Sequence, residues 1–431
     1  MGLRDLLRLR WDGVSQPFLV SADAHLSAHE VIDSDFSHLT EIQAGDVVAL
    51  IGDFEPRSIS DLIELIDRGA ILVPLTNDTT SSHEYFFESA LVDFVVSDGK
   101  VQKRFHSEEH PLIQELRRRK HPGLVLFSTG TTGRPKAILH DMSKFLARFE
   151  TPRPTYRTVN FLLFDHIGGI NTLLHTLFNT GVVIAPAERT ISSVLKACEE
   201  FSAEVLPTTP TFLRFMLLSG QIPDRVPACL KLITYGTERM DQPTLNRLCE
   251  LLPDVDFRQT FGMSELGIVR VKSKSRDSLF MKIGGEGVTT RVVNGVLEVL
   301  AENRMMGYLN ADSPFDREGW YNTGDVVEVD GEYISVIGRT NEVINVGGLK
   351  FMASEVERVA LELPQVSLVK VEAKSNPITG QHVEMTVQRV PDANISVSEI
   401  RQYLSDRLPS HMIPARIKLD DVSVGHRFKR A

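Results

Sequence analysis

The chain has 431 residues, 42% hydrophobic and 24% charged, with 47 Lys and Arg against 57 Asp and Glu and a formal net charge of −10. That length and composition fit a folded protein of about two or three domains, and the acidic balance excludes a general nucleic-acid or anionic-membrane binder, which needs a basic footprint. Three cysteines, Cys198, Cys229 and Cys249, are odd in number and lack CxxC spacing, which excludes a disulfide framework or zinc site and fits a reducing cytoplasm.

The first ten residues carry neither the apolar core of a signal peptide nor a myristoylation pattern, in keeping with a cytoplasmic location. The next thirty give little beyond a short strand at 17–20. From there the pattern sharpens: a strand over 45–52, a helix over 59–68, and strands over 71–75, 93–97 and 124–127. The basic run Arg117-Arg-Arg-Lys120 reads as solvated surface. The most apolar long stretch, 161–187, is interrupted by Asp165, His166, Asn171, His175 and Asn179, so it reads as a buried helix and strand and not as a membrane span. Helices over 171–178, 191–201 and 242–252 alternate with strands over 182–185, 204–206, 230–235 and 257–260. This rhythm predicts an α/β fold with parallel sheets covered on both faces. After about residue 281, Gly-punctuated strands over 287–293, 295–300 and 333–337 predict a small β subdomain. The last ninety or so residues form a separate α+β unit, with helices over 353–363 and 397–408 and strands over 367–373, 382–388 and 416–419.

Polar motifs fall where these strands end, which is where ligands collect in open α/β sheets. The strand at 124–127 runs into Ser128-Thr-Gly-Thr-Thr-Gly-Arg-Pro-Lys136. Gly130 and Gly133 let backbone approach an anion, Ser128, Thr129, Thr131 and Thr132 add hydroxyls, and Lys136 adds a positive charge. Ala137 follows the lysine, so this is not the GxxxxGK[ST] loop, which offers a hydroxyl to magnesium there. Further on come Phe164-Asp-His-Ile-Gly-Gly169, Tyr235-Gly-Thr-Glu-Arg239, Gln259-Thr-Phe-Gly-Met-Ser-Glu265, Tyr321-Asn-Thr-Gly-Asp325 and Gly338-Arg-Thr-Asn-Glu-Val-Ile-Asn-Val-Gly-Gly-Leu-Lys350. Taken singly, each also fits a bland reading: a polar turn, a core histidine, an exposed loop acid.

Taken in order, these stretches resemble the signature motifs of the adenylate-forming superfamily, which comprises acyl- and aryl-CoA synthetases, peptide-synthetase adenylation domains and luciferases. The resemblance covers most of the chain from about Gly45. It implies an N-terminal adenylation domain over 1–338, made of α/β-layered sheets plus the β subdomain, and a mobile C-terminal lid over 339–431 with its hinge near Asn341. The phosphate loop with Lys136 would hold ATP. Gly236, Thr237 and Glu238 would pack on adenine and the acyl pocket, and Thr260, Phe261, Gly262 and Ser264 would lie along the nucleotide. Glu265 would help hold Mg2+, while Asp325 would accept both ribose hydroxyls and Arg339 would approach the ribose. His166 would stand beside the acid, and Gly347 and Gly348 would line the path of the thiol; Asp165 resembles the aspartate with which amino-acid-activating members grip an α-amine, but the register places His166 at that position, which implies a plain carboxylic acid substrate.

The lid lysine of these enzymes belongs to a GKxxR-like segment, whereas this chain reads Gly425-His-Arg-Phe-Lys-Arg430. Either His426 or, three residues on, Lys429 takes its place. Lys429 is preferred, since a histidine of ordinary pKa, about 6.5, is mostly neutral at pH 7. The catalytic set is then Lys429 or His426 with Glu265 and Thr131. Other departures are Thr237 where glycine is usual, Asn341 where Asp or Lys is usual, and a shorter stretch before the phosphate loop. The resemblance implies an ATP-dependent acid–thiol ligase that makes an acyl-AMP and passes it to coenzyme A. Two alternatives stay open: loading a carrier protein or forming an amide, and a catalytically impaired adenylate- or CoA-binding protein. The expected partners are a small carboxylic acid, aromatic in preference to long-chain, and CoA or a carrier thiol; self-association into a homodimer is left open.

Overall fold

The computed structural model describes residues 2–128 and 134–424. Alternating strands and helices build two seven-stranded sheets. In the first, Gly123–Phe127, Ile71–Leu75, Val47–Ile51 and Phe94–Ser97 are parallel; Ala137–Asp141 with Gly307–Tyr308, and Lys100–Lys103, complete its edges in antiparallel fashion. In the second, Asp256–Gln259, Leu232–Tyr235, Val205–Thr208, Arg157–Val159, Val182–Ile184 and Leu19–Val20 are parallel, and His25–Leu26 is antiparallel at the edge.

Strand Ile71–Leu75 is buried at every position, which requires cover on both faces. Helices Pro56–Asp67 and Ile167–Phe178 supply part of it. They share one apolar cluster with Val48, Leu50, Leu72, Leu124 and Leu126 of the first sheet and Leu19 and Val183 of the second. Helix Pro56–Asp67 is so enclosed that Asp61 and Glu64 are themselves buried. A buried charge is tolerated only when paired. Asp61 meets His38 at 3.1 Å, and Glu64 meets Arg4 and Arg68, each at 2.7 Å. Arg4 comes from helix Leu3–Trp11, whose stripe of Leu3, Leu7 and Trp11 packs inward. All four residues of the basic run at 117–120 are exposed, as the sequence predicts, while Arg117 also donates to Gly45 O at 3.0 Å and Arg119 reaches the buried Asp141 at 3.3 Å.

Beyond the second sheet, the hairpin Phe261–Met263 and Gly267–Val269 leads into a six-stranded antiparallel sheet running from Val271–Ser273 to Val288–Val293, with Tyr321–Asp330 and Tyr333–Arg339 near its centre. This is the β unit that the sequence predicts. A single turn, Thr340–Glu342, leads on to the C-terminal unit. There Leu349–Met352, Val343–Val346, Gly380–Arg389, Val366–Asn376 and Arg416–Leu419 form one sheet, which packs with helices Ala353–Ala360 and Val397–Ser405 around its own apolar cluster. Among the described residues, no helix is long and apolar enough to cross a membrane.

One buried side chain joins this unit to the body. Arg214, on helix Pro210–Leu218, is 7% exposed and donates to Ser367 O at 2.7 Å, Val366 O at 2.8 Å, Leu361 O at 3.2 Å and Thr244 Oγ1 at 2.7 Å. Truncating such a residue leaves buried carbonyls without a donor. Arg214→Ala is expected to cost about 3 kcal/mol at this junction. Hydrogen exchange should then quicken across 366–389 while 47–75 keeps its protection; equal protection in both variants would exclude this role.

Candidate active site

The phosphate loop begins and ends on one hairpin. Strands Gly123–Phe127 and Ala137–Asp141 pair antiparallel, and the pairing extends one step further: Ser128 N donates to Lys136 O at 3.1 Å and Lys136 N donates to Ser128 Oγ at 3.0 Å. The two ends of the loop are thus pinned together, with Ser128 holding its base. Thr129, Gly130, Thr131, Thr132 and Gly133 lie outside the described residues. The exit is held as well. Tyr85 OH and Asn310 Nδ2 both donate to Pro135 O, at 2.8 and 3.1 Å, and Asn310 Oδ1 accepts from Ala137 N at 2.8 Å. Lys136 is exposed and stands 4.8 Å from the centroid of the Tyr308 ring.

Ser264 and Glu265 occupy the turn of the hairpin Phe261–Met263 and Gly267–Val269, where Gly262 lies against Gly267 O and Ile268 Cα too closely for a Cβ. Two bonds fix this turn against the phosphate-loop sheet. His140 Nε2 donates to Ser264 O at 2.6 Å, and Met305 N donates to Glu265 O at 2.8 Å. His140 is 2% exposed, and burial lowers its pKa to about 4, so it is neutral at pH 7 and its Nε2 carries the proton. Tyr308 OH donates to Glu265 Oε1 at 2.8 Å. Tyr308 and Tyr321 are hydrogen-bonding partners, and burial together with the Glu265 charge raises the pKa of both phenols. Both therefore stay protonated.

Tyr321 opens the strand that carries Asp325. Within that strand the register slips against Val296–Ala301, and Gly324 takes φ +72°. Thr323-Gly-Asp325 is therefore a bulge inside a long strand, where the sequence alone also allows a free turn. Thr323 Oγ1 donates to Leu297 O at 2.8 Å and accepts from Asp325 N at 3.0 Å. The bulge holds Asp325 directly opposite Arg339, Nε to Oδ1 3.2 Å. Asp325 is 5% exposed, and its burial raises the carboxyl pKa to about 6 against the opposing pull of Arg339.

The remaining expected site residues have local structural partners. His166 caps helix Ile167–Phe178, its Nδ1 accepting from Gly168 N at 3.0 Å. Glu238 Oε1 accepts from Thr211 N at 2.7 Å, at the start of helix Pro210–Leu218. Gly236 permits close packing of strand ends, since a Cβ there would lie 2.1 Å from Thr260 Oγ1. Thr260 Oγ1 donates to Tyr235 O at 3.1 Å, and Phe261 is buried. Gly347 and Gly348, at φ +60° and +90°, make the two-residue turn joining Val343–Val346 to Leu349–Met352, and Gly347 N donates to Thr379 O at 2.9 Å. His426 and Lys429 lie outside the described residues. Sequence reasoning missed Tyr308, His140 and Asn310; the run Gly307-Tyr-Leu-Asn310 is the one local signal that two of them carry. Among the described residues, no cluster of three or more His, Cys, Asp or Glu could hold a metal by itself.

The family model described as AMP-binding enzyme matches residues 37–305. The chain is 22% identical over 320 residues to 4-coumarate–CoA ligase-like 3 of Oryza sativa subsp. japonica, covering 66% of this chain and 54% of that relative. It spans 54% to 64% of the length of the first curated relatives. Its fold matches an anthranilate CoA ligase in complex with anthranoyl-AMP, with a TM-score of 0.82 at 18% identity over 100% of this chain and 95% of the other. It also matches an amide bond synthetase from Marinactinospora thermotolerans, with a TM-score of 0.75 at 18% identity over 99% and 98%. The ordered motifs, the fold and the match over most of the N-terminal body agree: the chain belongs to the AMP-binding enzyme family of the adenylate-forming superfamily.

Proposed function

We propose that the protein is an ATP-dependent acid–thiol ligase that activates a small carboxylic acid as its acyl-AMP and transfers the acyl group to coenzyme A. The observation that carries this reading is the line Lys136, Tyr308, Glu265 and Tyr321, which leads to Asp325 and Arg339. It chains a cation, an acid and a buried acceptor in the order in which a nucleotide presents phosphates and ribose. An ionised Asp325 accepts from two ribose hydroxyls, and Arg339 keeps it ionised at neutral pH. Glu265 has one carboxylate oxygen left after Tyr308, suited to a magnesium ion that completes its shell with phosphate oxygens and water. Bound there, magnesium would neutralise phosphate charge. Lys136 does the same for the approach of one anion to another, as the acid's carboxylate attacks the α-phosphorus and pyrophosphate leaves. Holding both reactants in one cleft removes much of the cost of bringing them together.

The unit after residue 339 acts in this reading as the lid, and Lys429, with His426 as the alternative, supplies its cation. An amine or a carrier-protein thiol is the second reading for the acceptor, since the fold is common to CoA ligases and an amide bond synthetase. A protein that binds adenylate without turnover is the third. Pyrophosphate release with a panel of carboxylic acids tests the first half-reaction, and CoA-dependent product formation tests the second. Release with no acid in the panel would leave only the non-catalytic reading.

Two variants sharpen the assignment. Asp325 loses its charge as pH falls through about 6, so kcat/KM for ATP should drop on the acid side of pH 6. Its raised pKa favours the folded state in that same range, so the drop is not unfolding at this group. Asp325→Asn should be about 10- to 100-fold weaker for ATP and should lack that limb; an unchanged limb would exclude Asp325 as its source. Lys429→Ala should slow adenylation by about 100-fold while thioester formation from supplied acyl adenylate stays within a few-fold. Equal slowing of both steps, or of neither, would count against Lys429.

A further inference from the structure

Three arginines gather around the end of helix Ile167–Phe178, and no acid joins them. Arg148, which closes helix Met142–Ala147, is half-buried, with its guanidinium carbon 5.6 Å from the ring centroids of both Phe145 and Phe149. It donates to Ile268 O at 2.6 Å. Two residues further along that chain segment, Arg270 lies over Gly285, where an added Cβ would stand 3.1 Å from the arginine's Cδ. Arg153 is pinned by its backbone, whose N donates to Asn179 Oδ1 at 2.6 Å. His175, in the last turn of the helix, meets Phe149 edge-on.

The charge in this corner is one-sided. Burial, followed by the charges of Arg153 and Arg270, lowers the pKa of Arg148 to about 10. Burial with Arg153 and Arg148 lowers that of His175 to about 4, so its ring is neutral at pH 7. None of the three arginines has an ion-pair partner among the described residues, and the residues outside these contain no Asp or Glu. The helix end does not supply the missing counter-charge, because its last four carbonyls are already taken. His175 O accepts from Asn179 Nδ2, Thr176 O from Gly181 N, Leu177 O from Trp11 Nε1 and Phe178 O from an Arg10 guanidinium N–H. A half-buried cation whose charged neighbours are also cations is costly until an anion completes the group.

We propose that Arg148, Arg153 and Arg270 form an anion site that takes a phosphate group, separate from the line that runs from Lys136 to Arg339. Charge selects the ligand. Guanidinium forks match carboxylate and phosphate alike, but one carboxylate would leave two of the three cations unbalanced, whereas a phosphate brings about two charges and several acceptor oxygens. There is room for it: Gly284, whose N donates to Arg270 O at 3.1 Å, has nothing within 4 Å of its Cβ position. The inference does not depend on the reaction proposed above.

Orthophosphate is the probe, titrated by calorimetry at constant ionic strength into Lys136→Ala, which removes the cation of the nucleotide loop. Binding should saturate with a dissociation constant of about 1 mM or below. Adding Arg153→Gln and Arg270→Gln, both at exposed positions, should weaken it by about 10-fold or more. Acetate, with a single charge, should bind about 10-fold more weakly than orthophosphate. Without phosphate the added pair should not lower the melting temperature, since it removes like-charge repulsion. Methyl phosphate separates the two sources of the group: tighter binding of the ester points to a phosphorylated small molecule, tighter binding of orthophosphate to the free ion. No saturable binding, equal binding after the two substitutions, or acetate binding as tightly as orthophosphate overturns the inference. So does a lowered melting temperature, which would show the arginines bonded within the fold.

Discussion

The hydrogen bond from His140 Nε2 to Ser264 O, at 2.6 Å, ties the strand that leaves the phosphate loop to the turn that carries Glu265. The partners are 124 positions apart in the chain, and they bring together segments attached to different sheets. A neutral imidazole suits the task. Burial keeps His140 uncharged far below neutral pH, so the donor proton stays on the nitrogen that faces the carbonyl. Tyr308 completes the joint: its strand pairs with the His140 strand, its hydroxyl bonds Glu265 and its ring sits beneath Lys136. The distance between the loop's positive charge and the turn's negative one is therefore set by packing and not by their mutual attraction. Such a site needs little reorganisation when charge moves within it.

The rest of the molecule divides between holding that joint and leaving room for a ligand. Enclosed helices and doubly covered strands carry the stability, with Asp61 and Glu64 paired where the chain buries them. Elsewhere the packing is less complete: a buried carboxyl with a raised pKa, strand-end polar atoms without partners among the described residues, and a threonine at positive φ. Functional sites are where such local costs concentrate. Arg214 adds a different constraint. Its bonds to three backbone carbonyls fix one docking of the C-terminal unit, and any other docking must break them together. Any reorientation of that unit would therefore be a switch between discrete arrangements and not a gradual drift.

The α/β rhythm, the β unit and the α+β ending were legible because each rests on local periodicity. So were the contiguous motifs, in which glycines and charged residues lie within a few positions of one another. What escaped notice depends on distant pairing. His140 sits in an apolar strand and reads as core until Ser264 is placed beside it. Arg214 reads as a helix surface residue until the C-terminal carbonyls close over it. Strand Ala137–Asp141 is obscured because His140 and Asp141 interrupt its apolar run. Helix Leu3–Trp11 shows its stripe only once its arginines find Ile32, Glu64 and Phe178.

The central claim is that this cleft joins an acid's carboxylate to the α-phosphorus of ATP. Isotopic tracing tests it most directly. With an accepted acid labelled with oxygen-18 in its carboxylate, the claim predicts one labelled oxygen in each AMP formed once the acyl group has left. Label that stays with the acyl product, or that emerges in orthophosphate alongside ADP, would contradict it.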